Sequence, residues 1–89
     1  MGRELQFSFD GAPVGYFEEP SYPREAGEYR YMPFRGIGHY NLGRALAEGP
    51  ALCRFVDADD VYECLVRSRP RYGVLAVEKI VVLRAALPG

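Results

Sequence analysis

The sequence predicts an α+β domain: a strongly bent, six-stranded, mainly antiparallel sheet or small open barrel with one short helix, in the order β-β-β-α-β-β-β. Three observations carry this. Residues 3–9 alternate, with Leu5, Phe7 and Phe9 on one side and Glu4, Gln6 and Ser8 on the other, the period of a half-buried strand. A single register across residues 51–68 pairs side chains that attract. One helical pattern, between residues 39 and 48, interrupts the strands. Eighty-nine residues make one domain, 1–89.

The first strand ends at Asp10-Gly11-Ala12-Pro13, which is turn chemistry. A second strand follows over residues 14–18. A loop at Gly11-Ala12 would set Phe9 opposite Val14 and Phe7 opposite Tyr16, so that the apolar sets share a face. Residues 19–27 hold Pro20, Pro23 and Gly27 and read as a loop. Residues 28–34 are extended, and Pro33 marks an edge strand or a bulge.

His39 to Glu48 is the helix. Tyr40, Leu42, Ala45 and Leu46 share a face, and Gly49-Pro50 ends the pattern. Gly43 inside it costs about 1 kcal/mol of propensity against Ala, so the helix needs a sheet to lean on.

Residues 51–57 and 60–68 form a second hairpin turning at Ala58-Asp59. Val56 then meets Val61, Phe55 meets Tyr62, Arg54 meets Glu63 and Cys53 meets Cys64. Aromatic with aromatic and opposite charges in one register is stronger evidence than propensity. A helix over 59–67, capped by Asp59, is the competing expectation. Arg69-Pro70-Arg71 is a loop. Residues 73–83 form the last strand, apolar on both faces and so expected to be central or doubly covered, with a bulge or a break at Glu78-Lys79.

Eleven basic residues against twelve acidic ones give a net charge of −1. Phosphate neutralisation supplies much of the affinity of dedicated DNA-binding domains, so this balance disfavours that class. No secretory signal is visible and the longest apolar run is too short to span a bilayer. The expected compartment is the cytoplasm, with no membrane association.

The segment Tyr29–Asn41 concentrates the chemistry. Arg35-Gly36-Ile37-Gly38 precedes the helix, where backbone N–H groups attract anions and a guanidinium can grip a phosphate or carboxylate. Its spacing is not that of a P-loop or a dinucleotide fingerprint, so a simple strand-to-helix turn is the favoured reading of the glycines. His39, the only histidine, is a residue type that can serve as a general base but lacks a visible nucleophile or orienting partner. Tyr29, Tyr31, Phe34 and Tyr40 with Arg30, Arg35 and Arg44 have the composition of a stacking surface for single strands or of a protein–protein hot spot; the acidic balance favours the second, and the competing expectation is that half of these rings are core. The candidate ligand-binding residues are Arg30, Arg35, Gly36, Gly38, His39, Tyr40 and Arg44.

Two cysteines and one histidine are too few for a structural zinc site without acidic ligands; as cross-strand neighbours Cys53 and Cys64 could form a disulfide, and in a reducing cytoplasm they are expected as two buried thiols. The Asp57, Asp59, Asp60 and Glu63 group lacks the pattern of a calcium loop and reads as a solvated turn. No catalytic residue, metal or cofactor is expected. The chain is read as a non-enzymatic binding or protein-interaction module with a protein partner, and as a homodimer. The alternative is recognition of nucleic acid or a phosphorylated ligand through residues 29–44, and behind it a small His-dependent enzyme.

Overall fold

The computed structural model describes residues 5–18, 22–58, 60–67 and 73–84. Its elements are β1 (Leu5–Phe9), β2 (Ala12–Phe17), β3 (Gly27–Pro33), α1 (Ile37–Leu46), β4 (Ala51–Asp57), β5 (Asp60–Val66) and β6 (Val74–Arg84). All strand pairs are antiparallel, and the sheet closes as β1-β2-β3-β6-β5-β4. The expected element order is therefore observed, and the barrel is closed rather than open. Only two residue pairs close it: Phe7 with Phe55 and Ser8 with Arg54, between β1 and β4.

The first hairpin departs from the expected register. Its turn is Asp10-Gly11, both at left-handed φ (53° and 83°), which a two-residue hairpin turn of the type I′ class requires. Phe9 therefore pairs with Ala12 and Ser8 with Pro13. A bulge follows at Val14, and Phe7 then pairs with Gly15, Gln6 with Tyr16 and Leu5 with Phe17. The bulge changes the phase of β2, so Val14 and Phe17, three residues apart, are both fully buried while Tyr16 faces outward. Gly15 is pressed against β3: a Cβ there would fall on the Met32 carbonyl oxygen and 2.9 Å from Pro33 Cα.

β3 changes partners along its length. Gly27–Arg30 pair with β6 and Tyr31–Pro33 with β2. Pro33, which has no N–H to give, lies where β3 has only one neighbour.

The helix begins two residues earlier than expected, at Ile37. Gly38, Leu42 and Leu46 form its buried stripe, one residue every four. Tyr40, expected on that face, is 60 % exposed. The helix crosses from the end of β3 to the start of β4 and packs on β2, β1 and β4.

The second hairpin has the expected register throughout, from Ala51 with Val66 to Asp57 with Asp60. Residues 60–66 are a strand, so the helical alternative there is excluded; a helix would have split pairs that complement one another. Asp59 and the Arg69-Pro70-Arg71 loop lie outside the described residues. β6 pairs with β5 from Asp60–Arg84 to Val66–Val77, skipping Glu78 as a bulge. β6 lies between β3 and β5, yet Val81 and Val82 are 40 % and 51 % exposed; the ladder with β3 stops at Val77.

Directly opposed residues share a face of a sheet. On the inward face this gives the rows Ala51–Val66–Val77 and Cys53–Cys64–Ile80, and a third row, Phe55–Tyr62–Val82, that runs from buried Phe55 through half-buried Tyr62 to exposed Val82. Phe7 completes the centre, stacked on Phe17 at 4.4 Å and edge-on to Tyr31 at 5.7 Å.

Candidate functional site

The strand-to-helix junction places its residues in two groups. Arg30, Arg35 and Gly36 are exposed, and among the described residues neither arginine has an ion-pair partner. Arg44 lies over the Tyr40 ring at 5.8 Å, one helical turn away. Gly38 has a different role. It is buried, and a Cβ there would fall on the Pro13 carbonyl oxygen, 2.8 Å from the carbonyl carbon and 2.9 Å from the Ala12 oxygen. The helix start thus docks on the first turn of β2, and the second glycine of Gly36-Ile37-Gly38 permits that contact.

His39 is half-buried, with its ring 6.4 Å from Tyr31. Its Nδ1 is buried and has no hydrogen-bond partner. The helix N-terminus has no side-chain cap and no acidic residue in its first turn. Among the described residues, the junction therefore presents an uncapped helix start and two guanidinium groups without an ion-pair partner, together with one unpartnered imidazole nitrogen that is buried.

The aromatic surface is smaller than its composition implies. Tyr31 is core, 3 % exposed, and burial, with the nearby Cys53 thiol adding, raises its pKa. Tyr29 is half-buried and its hydroxyl donates to the Glu25 carbonyl at 2.7 Å. Phe34 packs on Tyr16 at 5.9 Å. Of the four rings, only Tyr40 is freely presented.

Cys53 and Cys64 are free thiols facing each other inside the barrel, each fully buried. Burial first, and the neighbouring Cys64 second, push the Cys53 thiol up; burial first and Glu63 second push Cys64 up to about 12. Such thiols are inert as nucleophiles at neutral pH. Among the described residues, no group of three or more His, Cys, Asp or Glu could hold a metal ion.

A second surface lies outside the residues singled out from sequence. The outer face of β4, β5 and β6 carries three rows: Leu52–Leu65–Lys79, Arg54–Glu63–Val81 and Val56–Val61–Leu83. Leu52 and Val56 are 52 % and 56 % exposed. Arg54 Nε meets Glu63 Oε2 at 3.1 Å in the centre. The register that pairs the cysteines implies the β4 and β5 members of these rows, while Lys79, Val81 and Leu83 join through the β5–β6 ladder. What it cannot give is which face points to solvent, because both faces of β5 and β6 are largely apolar.

In comparison with known proteins, the chain matches no family model, no curated protein and no solved structure. Among the described residues, no helix is long and apolar enough to cross a membrane.

Proposed function

We propose that this domain is a non-enzymatic binding module that engages another protein through the outer face of β4, β5 and β6. The observation that supports it is apolar side chains, Leu52, Val56 and Val81, standing exposed around one Arg54–Glu63 pair. A contiguous apolar patch on a protein surface marks an interaction site, and a charged pair inside such a patch supplies register and selectivity. The compartment we infer is the cytoplasm, in keeping with two directly opposed, unbridged thiols.

The test compares the wild-type chain with Val56→Asp/Val81→Asp as affinity baits, with methyl NMR on the wild-type. Proteins held by the wild-type and lost by the variant, with shift changes at Leu52, Val56, Leu65 and Val81, are expected. Identical capture by two equally stable baits would overturn the assignment.

A specific observation favours a second reading, recognition of a phosphate-bearing ligand at the start of α1. The unpartnered, buried His39 Nδ1 belongs to the first turn of α1, four residues along the chain from Arg35, which has no ion-pair partner among the described residues. Arg35→Ala is then expected to weaken a phosphorylated ligand by roughly 1.5–3 kcal/mol while leaving the melting temperature unchanged. A lowered melting temperature with no change in affinity would assign Arg35 to structure instead.

A further inference from the structure

The outer face of the second hairpin is complementary to itself. About the Arg54–Glu63 pair, Leu52 balances Leu65 and Val56 balances Val61. Exchanging β4 for β5 therefore puts apolar on apolar and each charge on its opposite. Two copies can stack such faces about a two-fold axis in either of two directions. With the axis along the strands, β4 of each copy lies over β5 of the other. Arg54 then faces the second copy's Glu63, Leu52 faces its Leu65 and Val56 faces its Val61. With the axis across the strands, β4 lies over β4, and Arg54 meets Arg54 while Glu63 meets Glu63. Like charges juxtaposed in an interface cost several kcal/mol, so the charge pattern selects the first arrangement.

Resting on the interaction-module reading above, we infer that the partner on this face is a second copy of the chain, in an isologous dimer whose two-fold axis runs along β4 and β5. The four charges form an alternating square: each Arg54 keeps its own Glu63 and gains its partner copy's. This is the pattern an isologous contact demands, since one patch must serve both sides. Sheets stacked face to face sit about 10 Å apart with strands nearly aligned, which this axis permits. Three rows on two strands, flanked by Ser8 of β1 and Val81 of β6, are a small contact. Association in the micromolar range suits its size better than a tight dimer.

Charge exchange tests this directly. Sedimentation equilibrium of the wild-type is expected to show a reversible monomer–dimer equilibrium. Arg54→Glu and Glu63→Arg, alone, should each weaken self-association by about tenfold or more. Mixed in equal amounts, the two variants should associate with each other, and the double exchange should dimerise again. The axis is read by a short bis-maleimide: Leu52→Cys should cross-link to Leu65→Cys and not to Val56→Cys, and the reverse would overturn the axis. Should the charge variants fail to fold, Leu52→Ser with Val56→Ser replaces them and must abolish the dimer. A wild-type chain that stays monomeric at high micromolar concentration overturns the second copy as partner. If that monomer still captures proteins that Val56→Asp/Val81→Asp loses, the interaction surface stands and only its occupant changes. If it captures none, both fall.

Discussion

The two hairpins solve the same problem differently. The β4–β5 hairpin runs seven pairs without a break and carries complementary partners in each layer: Phe55 stacked on Tyr62 at 4.9 Å, Arg54 bonded to Glu63, Cys53 against Cys64. Its turn, by contrast, is strained, with Ala58 at φ 56°. The β1–β2 hairpin has the reverse allocation. Its Asp10-Gly11 turn suits the left-handed conformation, but its ladder breaks at Val14. One hairpin holds its register through side chains and tolerates a poor turn. The other begins with a good turn and gives up register to send Val14 and Phe17 into the same core.

The largest expected effect separates their cores. Phe7→Ala should cost about 3–5 kcal/mol, because Phe7 touches Phe17, Tyr31 and the β4 seam at once. That is a large share of the roughly 4–13 kcal/mol available to a domain of this size. Tyr62→Ala, from the half-exposed stack, should cost clearly less. Equal midpoint shifts in urea would erase the distinction.

Alkaline pH acts on the second hairpin through its two thiols and on β3 through Tyr31. Both thiols have pKa values raised by burial, so the folded state holds protons that the unfolded chain releases. Their contribution is complete below about pH 9, the ordinary thiol range, and declines as pH rises toward and through the folded values. Each thiol should remove about 1.4 kcal/mol per pH unit in that window. Cys53→Val/Cys64→Val should flatten the slope of stability between pH 9 and pH 11 (approximate window); an unchanged slope would point to Tyr31, whose pKa is also raised.

The next contrast is one of opposite signs. Gly15→Ala in the first hairpin should destabilise by about 1–3 kcal/mol, since the obstructing atoms are the β3 backbone and cannot step aside. Ala58→Gly in the second should stabilise by about 1 kcal/mol by relieving the left-handed alanine. Thermal melts of the two variants should move in opposite directions.

The smallest effect is the Arg54–Glu63 coupling. With Arg54 62 % exposed, a double-mutant cycle on the monomer should return about 0.2–1 kcal/mol, falling further in molar salt. A larger, salt-resistant value measured at dilution would mean that the pair is more than a surface contact.

The same contrast explains what was legible in the sequence. The second register could be read because four adjacent pairs each complement one another in a single alignment, and a one-residue slip destroys all four. The first could not, because several alignments of Phe7, Phe9, Val14 and Phe17 hide similar apolar area and a bulge leaves no residue signature. The helix start was misplaced by two residues because glycine-rich Gly36-Ile37-Gly38 has poor propensity, whereas docking of Gly38 on Pro13 holds that turn. Arg35 and His39 were visible as residue types. That Gly38 packs and that Tyr31 is core depends on long-range contacts that spacing does not encode. The self-complementary face was latent in the pair register and waited only on knowing which side meets water.

The barrel seam has a consequence for assembly by exchange. By ladder pairs the ring is thinnest at the β1–β4 seam, with two pairs against three between β2 and β3 and seven on either side of β5, which makes that seam a place where the ring can part. Parting leaves two bare strand edges whose natural complements are each other. In a crowded solution the β1 of one opened copy can therefore zip onto the β4 of its neighbour, remaking every native bond across two chains. Were the seam to part, closure of the ring would compete with joining to a sister molecule, and concentration would set the balance.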